Sequence, residues 1–160
     1  MKKLFVTLIC FLALLPLVLK AQDVPDRKAF YSAMASTKES LINTQLHALQ
    51  KTGGKDRTAF EGALLMRKAG IVSVPAKKLS FFKQGYKKLE EAIAADNNNA
   101  EYRFLRLMIQ ENAPKSLGYN KNIAEDSKIV KAAYKSFPEA SRQSVLNFSK
   151  KSKALPSSAL

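Results

Sequence analysis

The chain has 160 residues, 46% of them hydrophobic and 25% charged, with six glycines, six prolines and no tryptophan. That supports one domain with a real core and excludes wholesale disorder and collagen-like or proline-rich architectures. Lys and Arg total 27 against 13 Asp and Glu, a formal charge of +14, so the chain attracts anions of any kind.

Met1-Lys2-Lys3 begins a short basic segment, and Leu4 to Leu19 is an apolar run broken by Thr7 and Pro16. Lys20-Ala21-Gln22 follows, which completes the basic, apolar and small-residue pattern of a secretory signal peptide. Cleavage is expected between Ala21 and Gln22. The run is too short for a spanning helix of about 20 apolar residues, and Ile9 before Cys10 does not suit a lipoprotein signal. A periplasmic or secreted location is therefore expected, with no transmembrane segment after cleavage.

Cleavage removes Lys2, Lys3 and Lys20 from the 27 basic residues, leaving 24 against 13 acids, or +11. It also removes Cys10, the single cysteine, so no disulfide is expected. Export makes nucleic acid an unsuitable partner for the remaining charge. Anionic envelope polymers or lipid headgroups are the better match.

In Asp23-Val24-Pro25-Asp26 an acidic cap and an early proline start a helix carrying Phe30, Ala33 and Met34. Ser36-Thr37-Lys38-Glu39 spells a capping box for a second helix with Leu41, Ile42, Gln45, Leu46 and Leu49 along one side, unless the two run on as one. Thr52-Gly53-Gly54-Lys55 is a loop. Thr58 to Ala69 is a third helix with Ala59, Phe60, Ala63, Leu64 and Met66 on a broad apolar face. Gly62 within it costs about 1 kcal/mol against Ala, and a closely approaching helix would offset that. Gly70 and Pro75 bracket an extended connector.

From Ala76 to Ala95, Phe82, Gly85/Tyr86, Leu89 and Ala92/Ile93 step by three and four, an amphipathic helix ended by Asp96-Asn97-Asn98-Asn99. Ala100 to Asn112 differs. At about 100° per residue, Tyr102, Phe104, Leu105, Leu107, Met108 and Ile109 cover more than half its circumference. Arg103, Arg106 and Gln110 fall in one narrow stripe. Such a helix is packed on two or more sides, which makes it the central helix.

Pro114 and Gly118 form a bend. Asn122-x-x-Glu125 can cap a helix carrying Ile123, Val130, Tyr134 and Phe137. Pro138 starts a short last helix with Val145, Leu146 and Phe148. The Lys- and Ser-rich end is expected to fray. No convincing period-two alternation occurs. The prediction is an all-α irregular antiparallel bundle of six or seven helices: signal peptide 1–21, helical domain 22–150 and flexible tail 151–160.

Gly85, Leu89, Ala92 and Asn97, in GYKKLEEAIAADN, are spaced like the second helix of a tetratricopeptide repeat, and the chain resembles proteins of that kind. Asn97 stands where the repeat usually has proline. Residues 100–137 form a degenerate second unit rather than a regular array. The stretch EYRFLRLMIQENAPKSLGYNKNI also resembles a family of small exported bacterial proteins of unknown function. The first resemblance implies helical hairpins and a protein-interaction module; the second implies no activity.

Chemistry is sparse. His47 is the single histidine, so neither a transition-metal site nor a Ser-His-Asp triad is expected. Glu90 and Glu91 diverge on a charged helix face, and Gly53-Gly54-Lys55 lacks phosphate-loop spacing. No catalytic, cofactor or metal residues are assigned. Lys77-Lys78, Lys87-Lys88 and Lys150-Lys151-Lys153 read as solvated surface without interleaved aromatics. Arg103, Arg106 and Gln110 keep two readings: pairing with acids such as Glu61 or Asp126 to set packing, or lining a groove for an anionic ligand or peptide carboxylate. The expected function is a non-catalytic protein-interaction module with a protein or peptide partner in the envelope. The alternative is electrostatic attachment to anionic envelope components.

Overall fold

A computed structural model describes residues 25–160. The apolar segment, the Ala21–Gln22 junction, Asp23 and Val24 lie outside the described residues. The rest is all-helical: α1 (Arg27–Ala35), α2 (Glu39–Lys51), α3 (Asp56–Ala69), α4 (Pro75–Ala95), α5 (Ala100–Asn112), α6 (Ile123–Ala133) and α7 (Glu139–Ser149). Three short 3-10 turns, at 115–117, 134–136 and 157–159, join or follow them. No helix among the described residues is long and apolar enough to cross a membrane.

Asp26 caps α1 by accepting the Ala29 N–H at 3.1 Å, which satisfies a donor that the helix itself leaves free. The chain then turns extended at Ser36, so α1 and α2 are separate helices. The capping box at Ser36–Glu39 does not form. Ser36 Oγ accepts from Lys38 N at 2.9 Å, and Glu39 becomes the first residue of α2, its carboxylate 3.3 Å from Lys68 Nζ. The cross-helix cation outcompetes the local cap for the same side chain.

Helices α3 and α4 pack antiparallel, and glycine sets how closely. A Cβ at Gly62 would lie 2.7 Å from Leu89 N and 2.8 Å from Gly85 O. A Cβ at Gly85 would lie 2.5 Å from Gly62 O and 2.8 Å from Met66 N. Two backbones thus touch at facing glycines, which explains Gly62 in a helix interior. Pro75 occupies the first turn of α4, where its missing N–H costs nothing.

Asn99 starts α5 by accepting from the N–H groups of Glu101 and Tyr102. Every residue from Glu101 to Leu107 is buried. Helices α3, α4, α6 and α7 surround α5, while α1 packs on α2, α3 and α7. The core runs through stacked Phe30 and Phe60, with centroids 4.2 Å apart, and through Phe104 edge-on to Phe137 and Phe148. Gly118, at φ 62°, makes the left-handed turn before Tyr119.

Two further expectations are corrected. Asn122 does not cap α6 through its side chain; it pairs with Gln110, donating its backbone N–H to Oε1 at 3.2 Å and accepting from Nε2 at 3.3 Å. Residues 151–160 are not a free tail. Leu155 is fully buried, Ser127 Oγ donates to Ala154 O, and Glu111 accepts the N–H groups of Lys153 and Ala154 at 2.9 and 2.8 Å. One apolar anchor and two charge-assisted backbone bonds outweigh the polar composition of the segment.

Gly62→Ala and Gly85→Ala should each destabilise the protein by about 3 kcal/mol, because each new methyl meets backbone atoms within 2.8 Å that a side-chain rearrangement cannot clear. Urea unfolding monitored by helical circular dichroism measures the loss. A change below about 0.5 kcal/mol at both positions, as at an unconstrained surface site, would contradict the close approach.

Candidate functional site

The stripe on α5 faces inward. Arg106 donates from Nε to Asp126 Oδ2 at 2.7 Å and from Nη2 to Asp126 Oδ1 at 2.8 Å, a two-bond fork on a carboxylate with no exposed surface. Its Nη1 reaches Glu90 Oε2 at 2.9 Å. Arg103 donates from Nη1 to Asp126 Oδ1 at 3.2 Å and from Nε to Asn97 O at 2.9 Å, with Glu125 at 3.4 Å. Glu61, the other acid considered, pairs with Lys88 instead. Burial alone would lower the Arg106 pKa, but Asp126 and Glu90 together raise it above the ordinary value.

A second polar cluster was not among the expectations from the sequence. Glu101, in the first turn of α5, accepts from Arg27 Nε at 3.0 Å, from Tyr31 at 2.9 Å and from Ser141 at 2.5 Å. Arg27 also bonds Asp56 at 2.7 Å, and Tyr102 donates to the same carboxylate at 2.7 Å. One carboxylate therefore ties α5 to α1 and α7, and Arg27 and Tyr102 carry the link to α3. Partners 40 to 74 residues apart leave no local pattern. An acid on a helix otherwise apolar over a wide arc was the available hint.

The open surface lies elsewhere. A groove of about 790 Å³ runs between α1, α3, α4, α5, the 113–117 bend and α7. Met34, Met66 and Met108, all three methionines of the described residues, border it, with Leu79, Phe82, Ile109, Leu117 and Phe148. Leu79 and Leu117 are 49% and 42% exposed. Its charged lining residues are Arg67, Lys78 and Lys151, and no described acid faces it. A smaller concavity of about 480 Å³ is bordered by Phe82, Tyr86, Glu90, Gln110 and Tyr119. Gln110 reaches that one while 2% exposed; Arg103 and Arg106 border neither.

His47 is exposed. Among the described residues, no group of three or more His, Cys, Asp or Glu side chains is placed to hold a metal. Glu90 accepts from Arg106 and from Tyr119, the latter at 2.6 Å, whereas Glu91 lies 3.9 Å from Lys87 on the surface. The two carboxylates diverge: Glu91 stays on the solvated charged face as expected, whereas Glu90 is drawn into the fold by Arg106 and Tyr119, which corrects the expectation for that residue. No protein-family profile, curated protein or solved structure matches the chain.

Tyr31, Tyr102 and Tyr119 all have raised pKa values. Burial is the largest cause in each, followed by the adjacent carboxylate: Glu101, Asp56 and Glu90 respectively. An acid whose pKa is higher in the folded state stabilises the fold below the unfolded value, about 10 for Tyr, and that contribution is lost as pH rises above it. In a Tyr86→Phe/Tyr134→Phe background, the tyrosinate absorbance of the three should appear together with loss of helical signal above about pH 10. Titration with the helices intact would contradict the buried carboxylate contacts.

Proposed function

We propose that the protein is an exported, non-catalytic interaction module that takes an apolar segment of a protein or peptide partner into the groove between α1, α3, α4, α5 and α7. The observation that carries this reading is the groove itself, an open apolar concavity of about 790 Å³ with two well-exposed leucines on its border. Its volume falls in the range of about 300–1,000 Å³ usual for binding sites. Contiguous exposed apolar surface of this kind marks interaction sites. Methionine suits such a surface because its unbranched, polarisable side chain repacks around different shapes. The tetratricopeptide-like spacing of Gly85, Leu89, Ala92 and Asn97 supports helical hairpins as the scaffold, and the signal-peptide pattern supports a partner in the envelope.

The binding surface in this reading is not the Arg103/Arg106/Gln110 stripe, whose side chains are buried and bonded to Asn97, Asp126 and Asn122 inside the fold. The high positive charge favours a second reading, attachment to anionic envelope polymers or headgroups. That attachment would weaken steeply with salt, since exposed charges are screened over about 8 Å at physiological ionic strength.

Leu79→Glu/Leu117→Glu separates these readings without touching the core, because both side chains are already well exposed. Cross-linking and capture from the envelope fraction should recover a partner with the wild type and lose it with this variant. Leu41→Glu, an equally exposed leucine on α2 outside the groove lining, should capture as the wild type does. Equal capture by the groove variant would overturn the proposal. Capture abolished by salt but indifferent to Leu79 and Leu117 would favour the electrostatic reading.

A further inference from the structure

Most arginines of this protein are answered by a carboxylate. Arg27, Arg103, Arg106 and Arg142 each form an ion pair. Arg57 and Arg67 form none among the described residues, and of these two Arg67 borders the groove. Its Nη2 donates to Ser36 O at 2.8 Å, which tethers the guanidinium at the α1–α2 junction. Its Nε is the one buried side-chain nitrogen or oxygen among the described residues without a hydrogen-bond partner. A buried unsatisfied donor is costly, and a planar guanidinium is shaped to receive a carboxylate.

The other two cations of the lining, Lys78 in the first turn of α4 and Lys151 just past α7, are exposed and also form no ion pair among the described residues. The groove therefore has an apolar, methionine-rich lining and three cations, on three separate segments, that no acid of the described residues pairs or accompanies. A ligand with one charged end would answer only one of these positions. A ligand with an apolar face and negative charges spread along its flanks answers all three.

We infer that the groove's occupant is an amphipathic helix of a partner protein, apolar on the inserted face and acidic along its flanks, with a carboxylate on Arg67. This is the helix-in-groove mode of peptide recognition, read out by apolar anchors at i, i+3/i+4 and i+7. The inference rests on the interaction function proposed above and specifies its partner.

The test uses two synthetic peptides with one common Leu/Ile/Phe face, one flanked by Glu and the other by Lys. Fluorescence anisotropy with the purified protein reads their affinities, and circular dichroism reads helix formation on binding. The Glu-flanked peptide should bind at least about tenfold more tightly, and should gain helicity when bound. Lys78→Glu/Lys151→Glu changes only exposed side chains and should reverse the preference. Arg67→Met should weaken the Glu-flanked peptide about tenfold and leave the Lys-flanked one unchanged; Arg67→Lys should fall between. Equal binding of the two peptides, or no reversal by the lysine variant, would overturn the acidic-helix assignment. Stoichiometric binding of oleate with no binding of either peptide would overturn it in favour of a fatty-acid ligand. If groove-dependent capture of a partner persists while the peptides show no charge preference, the interaction function stands and this inference alone fails. Loss of groove-dependence in capture is the failure of the function itself.

Discussion

The fold depends on how helix α5 hides its charges. From Glu101 to Leu107 every residue of this helix is buried, yet three of those seven side chains, Glu101, Arg103 and Arg106, carry a charge. Removing an ion from water costs several kcal/mol even after relaxation, so each charge needs a partner with close geometry. Asp126 meets Arg106 with both oxygens and also accepts from Arg103, which sets the position of α6 against α5. Glu101 receives Arg27, Tyr31 and Ser141, which sets α1 and α7. The apolar core supplies cohesion without direction; these bonds add direction, because a helix slid by one turn would strand a buried charge.

The same demand shapes the surface. Arg103, Arg106, Arg27 and their acids are consumed inside the domain, which leaves a surface dominated by lysine. Helices α3 and α4 approach until their glycine backbones touch, while the 113–117 bend and the end of α7 stand off from them. Between these elements lies the methionine-lined groove, bordered by cations without acids. The most conspicuous charges in the sequence are internal struts. The binding surface proposed above is built from residues that are individually ordinary.

The helices were largely legible in the sequence because their signals are local. Asp26 caps α1 at the acidic entry, and the wide apolar arc from Tyr102 to Ile109 marked α5 as central; Pro75, read as closing the connector, is itself the first residue of α4, and Asn99, read as ending α4, caps α5. Gly62 announced a close neighbour. What was not legible is decided between distant residues. Ser36 and Glu39 spell a capping box, but Lys68 on α3 takes the carboxylate. Asn122 spells a cap, but Gln110 takes its side chain. A single leucine, Leu155, docks a segment whose composition reads as a tail. The groove brings Met34, Met66 and Met108 together from three helices, and no spacing rule connects them.

The central claim is that the α5 guanidinium groups hold the fold rather than a ligand, and urea unfolding of Asp126→Leu beside Arg103→Met/Arg106→Met/Asp126→Leu tests it most directly. Asp126→Leu alone removes the buried carboxylate shared by Arg103 and Arg106, leaving them only the more exposed Glu125 and Glu90, and should cost about 3–5 kcal/mol. The triple variant removes the two guanidinium groups as well and should recover most of that loss, since apolar replacement of a buried ion triad is often neutral or stabilising and the part-exposed Glu90 keeps its hydrogen bond from Tyr119. A loss below about 1 kcal/mol for Asp126→Leu, the scale of an exposed pair, would contradict the account.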